Sequence, residues 1–584
     1  MAQDKAAPTE PRGLSGLGHR LVAILSGGAR PTTGFVGQPE PRTIGSHARG
    51  RQLLAGNFLL AGHMVEAPER LIWDIPAPDA AFTDELHGFT WLDDLAAVTR
   101  GAARERAQAW TYDWVRRYGA GRGPGWTPDL TGRRVIRWIN HGAMLLQGRE
   151  PREQAAYFRS LAAQTRFLSK RWKKARPGLK RFEALTGLIY AGLALTGMDR
   201  HVAPARTALA RECQVQIDAG GGIATRNPEE LLEIFTLLTW AAAALGEAGR
   251  SPDRAHLDAI FRIAPTLRAL RHADGGLARF HGGGRGLEGR LDQALAAAGV
   301  RAQPPKGLTM GYARLSAGRT SVIVDAASPP RGAASVNAHA STLAFELTSG
   351  RRPLIVNCGS GAVFGPDWHR AGRATPSHST LCLAGLSSSR LGAEGLLGKT
   401  RKDELADLPK VVRVQLVPTE DGTLFVAGHD GYAGTHGLTH VRQIDLSLDG
   451  RRLSGEDTLG AMTAGDRRTF DAALKRAQAD AVRFDIRFHL HPDVDATLDL
   501  GGTAVSMALK SGEIWIFRHD GAAKLSIEPS VYLEKGRMKP RVTRQIVLSA
   551  HVSDYAAQIG WTLGKAQDTP QAVRDFDREE MSYD

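Results

Sequence analysis

Residues 335–385 read SVNAHASTLAFELTSGRRPLIVNCGSG and then, after a loop, RATPSHSTLCLAG. His339 opens a run in which Leu343, Phe345 and Leu347 alternate with Thr342, Ala344, Glu346 and Thr348. A period of two predicts a half-buried strand. The apolar run Leu354-Ile355-Val356 then delivers Asn357 at its end, and His378 stands just before a second short run, Thr380-Leu381-Cys382-Leu383. Three nitrogen- or oxygen-bearing side chains, His339, Asn357 and His378, are thereby expected at the ends of neighbouring strands. Strands lie about 4.8 Å apart, so the three can converge on one ion or one sugar. Ordinary strand-end polar residues would give the same spacing.

Moving outward, the C-terminal half repeats this pattern. Ser321–Asp325 is a strand candidate, and Val412, Val414 and Leu416 alternate with Val411, Arg413 and Gln415. Ile444, Leu446 and Leu448 do the same before a turn at Asp449-Gly450. In Arg483–His491, Phe484, Ile486, Phe488 and Leu490 face one way, and Arg483, Asp485, Arg487, His489 and His491 face the other. Many strands with Asp-Gly and Gly-rich turns predict a large antiparallel β-sandwich.

The N-terminal half has a helical period. Phe158, Leu161, Thr165, Leu168 and Trp172 fall on one face, and Leu185–Leu195 supplies another segment. A third starts sharply, with Asn227 as N-cap, Pro228 at the first helical position and Glu229 and Glu230 in the first turn. Helices joined by short Gly/Pro/Arg loops predict a helical array or incomplete toroid, and the lack of a strict repeat argues against a regular solenoid. The division expected is a flexible arm over 1–45, a helical domain over 46–300, a basic Pro-containing linker over 301–306, the sandwich over 307–565 and a charged tail over 566–584. The class is α+β, multidomain.

A chain of 584 residues exceeds one core. No window approaches the roughly 20 apolar residues of a membrane span. Lys and Arg number 75 against 61 Asp and Glu, for a net charge of +14. This excess favours an anionic partner. The one dense run, Lys170-Arg171-Trp172-Lys173-Lys174, reads as a solvated helix face, and no nucleic-acid-binding signature accompanies it. Three cysteines make no disulfide framework.

These halves and motifs together resemble the heparinase II/III-like family of polysaccharide lyases. The resemblance lies in His339 with Leu343–Glu346, in Asn357-Cys358-Gly359 and in Arg373–Thr380. It extends to His429–Tyr432, His440-Val441-Arg442, Arg487–Pro492, Asp274–Leu277 and Gly220–Pro228. It implies an (α/α) toroid packed on a β-sandwich, with a cleft between them for an acidic, glycosaminoglycan-like polysaccharide. It also implies β-elimination next to a uronate, which must neutralise a carboxylate, remove the C5 proton and protonate the leaving oxygen.

The resemblance implies a metal position at His339, Asn357 and His378, hence one zinc and no organic cofactor. Asn357 replaces the usual carboxylate, so a metal-free arrangement, with Asn357 bonding both imidazoles, stays open. Asn337 stands where the family often has a catalytic His, and Glu230 where it often has a Tyr. With Asn227 and Arg373 they form the expected catalytic set; Arg373 serves either as a carboxylate ligand or as a brace for its loop. Arg226, Arg487 and His489 are the expected substrate contacts, the last two standing equally well as a solvated strand face. The resemblance implies the cell envelope or periplasm. No usual export signal begins the chain, which leaves the cytoplasm as the alternative. These readings leave two functions: a lyase, or a polysaccharide-binding protein that keeps the fold with a degraded site. They leave the oligomeric state open.

Overall fold

A computed structural model describes residues 14–28, 30, 32–37, 39–99, 101–303, 306–392 and 403–566. The helical half ends with the Arg290–Ala298 helix, and sandwich strands begin at Tyr312. Each half has its own apolar core.

Local chemistry sets the helices. Asn227 Oδ1 accepts from the backbone N–H groups of Glu229 (3.0 Å) and Glu230 (3.2 Å), capping the Pro228–Glu247 helix. Glu150 and Glu153 form a reciprocal capping box on Pro151–Arg171, which buries Phe158, Leu161, Thr165 and Leu168 as its period predicts. The Pro128–Asn140 and Leu179–Ala194 helices meet backbone to backbone. A Cβ on Gly132 would lie 2.3 Å from the Glu183 carbonyl oxygen, and one on Gly187 would lie 2.6 Å from the Gly132 Cα.

The segment expected to be a flexible arm contains ordered structure. Leu14–Ser26 is a helix that rests on Pro151–Arg171. Its small face, with Ala23 and Ser26, points inward, while Leu17, Leu21, Ile24 and Leu25 point outward. Residues 32–37 and 39–46 cross the helical half as a strap. Val36 N–H donates to the Ala194 carbonyl (2.8 Å), Arg42 pairs with Glu247, and Ser46 N–H donates to Asp94 (2.7 Å). The charged tail from 567 onward lies outside the described residues. No helix among the described residues is long and apolar enough to cross a membrane.

Two eight-stranded antiparallel sheets form the sandwich, the Leu381–Leu383 strand of one pairing beside Val482–Leu490 off its main path. One runs in the order Lys524–Tyr532, Arg541–Val552, Val482–Leu490, Arg352–Val356, Phe345–Ser349, Thr320–Asp325 and Tyr312–Ala317. Phe484, Ile486, Phe488 and Leu490 all enter the core, as their alternation predicts. There Trp561 stacks on Phe345 (5.8 Å between centroids) and meets Phe488 edge-on (4.9 Å).

Three expectations for the strands are corrected. The run opened by His339 becomes a strand only at Phe345, because Leu343 takes a left-handed φ of 63°. That strand is buried on both faces, since its polar side meets the helical half. Arg279 N–H donates to Glu346 Oε2 (3.0 Å), and His272 lies 3.3 Å from the same oxygen. In Val411–Pro418, a β-bulge at Arg413 (φ 54°) breaks the alternation and leaves Val414 and Val417 exposed. This is the sheet's edge strand, where a bulge opposes pairing with another chain.

Candidate functional site

At the end of the sandwich that faces the helical half, His339 and His378 meet directly, Nδ1 to Nε2 at 2.9 Å. His378 Nδ1 is 2.9 Å from the Ala374 carbonyl, which accepts its proton. Neutral His378 then offers the Nε2 lone pair, and His339 Nδ1–H donates to it. Behind them lies His281, whose Nδ1 accepts the His339 backbone N–H (3.1 Å) and whose Nε2 is 3.4 Å from Asp325 Oδ2. Burial, reinforced by neighbouring cations and imidazoles, holds His339 well below the usual imidazole value. Burial lowers His378 to about 3 and lowers His281 as well. Burial alone would raise Asp325, but Arg226, His281 and the Ser341 hydroxyl outweigh it and hold the carboxyl low.

Asn357 does not complete a three-ligand set. Its Oδ1 accepts the Ser379 N–H (2.9 Å) and its Nδ2 faces Glu346 Oε1 at 3.5 Å, so it holds the chain beside His378. It bonds neither imidazole, which corrects the metal-free arrangement expected. The donor set also fits zinc poorly. Two imidazoles beside a neutral amide that is turned to Ser379 fall one short of the three protein ligands of an ordinary zinc site. Among the described residues, no three His, Cys, Asp or Glu side chains are grouped to hold a metal.

The mouth of this cluster is built around the Gly282–Gly284 loop. A Cβ on Gly282 would lie 3.1 Å from the Asn337 Cβ, and one on Gly283 would lie 2.5 Å from Asn227 Oδ1. The loop therefore brings Asn337 and Asn227 to its two sides. Asn337 is exposed. Gly284 N–H donates to Glu229 Oε2 (2.8 Å), and that carboxylate also pairs with Lys535 from the sandwich. Burial would raise Glu229, but Lys535 and the Gly284 N–H hold it low. The adjacent Glu230 accepts from the Thr225 hydroxyl (2.7 Å), and burial raises its carboxyl.

Four expected contacts lie elsewhere. Arg226 uses all five of its N–H donors inside the protein. Nε donates to Met310 O (3.1 Å), Nη1 to Ala327 O and Ser328 O, and Nη2 to Gly311 O and Asp325 Oδ1 (2.5 Å). It pins the helical half to the sandwich and has no donor left for substrate. Arg373 is buried and donates to Ala338 O, Ser335 O and Asp403 O at 2.8–2.9 Å. It braces the loop that carries Asn337, and burial lowers it to about 10. Arg487 pairs with Asp485 (2.8 Å) and Glu528 (3.4 Å). His489 is closed on both nitrogens, by Ser530 Oγ (2.7 Å) and Pro376 O (2.9 Å), with burial lowering it to about 4. His489 is thus closed to a ligand and Arg487 is half-buried in ion pairs, while Arg483, on the same face, stays exposed.

Sequence reasoning missed His281, Asp325, Glu229 and Lys535. A His directly before a glycine triplet, and an acid closing an apolar strand, were the signals for the first two. Glu229 was assigned only to the helix dipole, and no local pattern marks Lys535.

The profile described as "Heparinase II/III-like, C-terminal" matches residues 300–562. FtsZ-localized protein C of Caulobacter vibrioides is 32% identical over 560 residues, covering 94% of this chain and 92% of that protein. A heparinase III crystal structure superposes with a TM-score of 0.67 at 13% identity, over 94% of this chain and 89% of that one. A heparan sulfate lyase HepC mutant from Pedobacter heparinus gives 0.58 at 14%, over 95% and 89%. At these identities the two structures share the fold: helical toroid, then β-sandwich.

Proposed function

Since the chain belongs to the heparinase II/III-like family, we propose that it binds an acidic, uronate-containing polysaccharide in the groove between toroid and sandwich and leaves it uncleaved. One observation carries this reading. The exposed side chain at the mouth of the cluster is an amide, Asn337, while the imidazoles of His281, His339 and His378 behind it are buried.

An amide and a nearby ammonium can bind a carboxylate. Asn337 and Lys535, whose side chain is 42% exposed, supply both. Elimination also needs a group that takes the C5 proton in reach of the sugar. Asn337 cannot take it. Glu230 is turned into hydrogen bonds with Thr225 and the Leu179 N–H. The Tyr312 hydroxyl is buried and donates to the Arg226 carbonyl (2.5 Å).

The test uses full-length protein and a panel of uronate polysaccharides, reading binding by affinity electrophoresis and cleavage by the ultraviolet absorbance of an unsaturated uronide. Retarded migration without absorbance is the expected result. Absorbance that rises with time replaces this reading with the lyase, the other function expected from the sequence.

A second reading concerns place. Whole-length identity to an FtsZ-localized protein supports accumulation of this chain where FtsZ assembles. A fluorescent fusion that stays evenly distributed in dividing cells removes it.

A further inference from the structure

We infer that an interdomain cavity apart from the Asn337–His339 cluster is a binding site for an acidic oligosaccharide, carboxylated or sulfated. It rests on the groove reading above, because the same polymer would occupy both. The cavity measures ≈ 1070 Å³. It lies at the other end of the Phe345–Ser349 and Arg352–Val356 hairpin, between the hairpin turn and the chain that follows the Arg254–Ala269 helix.

Its two walls differ in character. The sandwich wall presents Arg351, Lys510, Arg537 and Arg541 against two carboxylates, Asp493 and Glu534. Asp493 serves Arg541 (3.0 Å) and Lys510 (3.2 Å) together, while Glu534 faces Arg537 (3.4 Å) and Arg541 (3.9 Å). Exposed Arg351, on the turn, pairs with no carboxylate among the described residues. That wall carries excess positive charge. The helical wall mixes four glycines, Gly275, Gly276, Gly286 and Gly289, with side chains of both signs. There Arg271 neutralises Asp292 through two bonds (2.7 and 2.9 Å), and Arg285 stands 3.6 Å from Asp274. Glu288 is the remaining acid.

A cationic wall facing one whose own cations are matched by acids suits an extended polyanion lying along the sandwich side. The volume stands at the upper end of the roughly 300–1,000 Å³ of small-ligand pockets, which leaves room for more than one sugar. Among the described residues, no Trp, Tyr or Phe lines the cavity. The stacking platforms that single-stranded nucleic acid uses are therefore missing.

Two loops join the cavity to the groove. Gly282–Gly284 borders Asn337 and Asn227, and the same loop continues into the cavity at Arg285–Gly289. Lys535 pairs with Glu229 at the groove, while its neighbours Glu534 and Arg537 line the cavity. An anionic chain leaving the groove thus has a charged path.

The experiment is calorimetric titration of full-length protein with a heparin-derived hexasaccharide and, separately, a galacturonate hexamer. Arg351→Glu/Lys510→Glu is compared with Lys173→Glu/Lys174→Glu, which changes net charge equally on a distant exposed surface. The cavity variant is expected to lose roughly tenfold or more in affinity, about 1.4 kcal/mol, for at least one probe. The distant variant is expected to retain wild-type affinity, and both are expected to melt as wild type. If the charge reversal lowers the melting temperature, Arg351→Gln/Lys510→Gln carries the same expectation. Equal weakening in both double variants, unchanged affinity in the cavity variant, or no binding of either probe by wild type overturns the inference. Asn337→Ala separates it from the groove reading. Loss in Asn337→Ala alone leaves the groove reading standing without the cavity. Loss in the cavity variant alone leaves the cavity standing without the groove.

Discussion

Arg226 sits in a left-handed backbone conformation (φ 51°) just before the Pro228–Glu247 helix, and its guanidinium meets Asp325 Oδ1 at 2.5 Å across the domain boundary. The other four N–H donors satisfy carbonyls of residues 310, 311, 327 and 328, and the guanidinium packs 4.7 Å from the Tyr312 ring centroid. One residue of the toroid therefore fixes the start of the sandwich. Arg226→Ala strands Asp325 as a buried charge and should cost about 3–5 kcal/mol. Arg226→Lys keeps the charge but offers three donors for five acceptors, so it should recover only part of that loss. Urea unfolding followed by tryptophan fluorescence checks both. A ligand-binding role would instead leave stability untouched.

Gly132 is set by the helix contact it occupies. Adding a Cβ drives it into the Glu183 carbonyl, a backbone atom that cannot rotate away. Gly132→Ala should therefore lower stability by about 1–3 kcal/mol, the usual range for overpacking. Gly101→Ala, where nothing lies within 4 Å of the new atom, is the control and should be neutral or slightly stabilising. Thermal melts of the two variants decide it.

How much of this was legible in the sequence depended on how local each cause was. Asn227-Pro228 announces its helix because the cap acts within three residues, and Phe484–Leu490 announces its strand because one buried face imposes alternation. Glu346 and Thr348 did not announce their burial. What covers them is His272 and Arg279 from the other half of the chain, and periodicity carries no information about a second domain. Arg226 looked like a cleft residue for the same reason, since its acceptors lie up to about a hundred positions away. Arg413 shifts the register through its own φ, which no alternation of side chains reveals. At the candidate site, the sequence named His339, Asn357 and His378 as a group. It could not show that Asn357 turns to Ser379 and Glu346.

Acid should destabilise the fold from about pH 6.5 downward. His87 is buried, accepts the Trp114 indole N–H at Nδ1 (3.0 Å), and is lowered to about 3, first by burial and then by Arg134. Its folded value lies below its unfolded one, so the unfolded chain binds the extra proton. The stability it contributes is complete above the unfolded value and is lost as pH falls toward the folded one. The slope is about 1.4 kcal/mol per pH unit for each such histidine. Urea midpoints at pH 7, 6 and 5 should fall steadily. In His87→Gln, which cannot charge, the fall should be shallower by one proton.

Metal removal should do nothing measurable. His339 and His378 bond each other and Asn357 is committed to the backbone of Ser379. Dialysis against a chelator should leave the melting temperature unchanged, and added zinc should not raise it. A rise on zinc addition that His378→Ala abolishes would show a site these contacts do not provide.

Asn337 and Arg373 should separate recognition from support. Asn337 is exposed at the mouth of the cluster, so Asn337→Ala should leave the melting temperature unchanged. It should weaken uronate-oligosaccharide binding by about 0.5–1.5 kcal/mol, the net worth of a hydrogen bond, or up to roughly tenfold. Arg373 touches the ligand only through the loop it braces, and it is buried with three carbonyl acceptors. Arg373→Ala should therefore lower both the melting temperature and the affinity. Arg373→Lys, which can reach some of those carbonyls, should restore part of each in parallel. If Arg373→Ala instead abolishes binding without moving the melt, the guanidinium contacts the sugar itself, and the loop brace is not its main role.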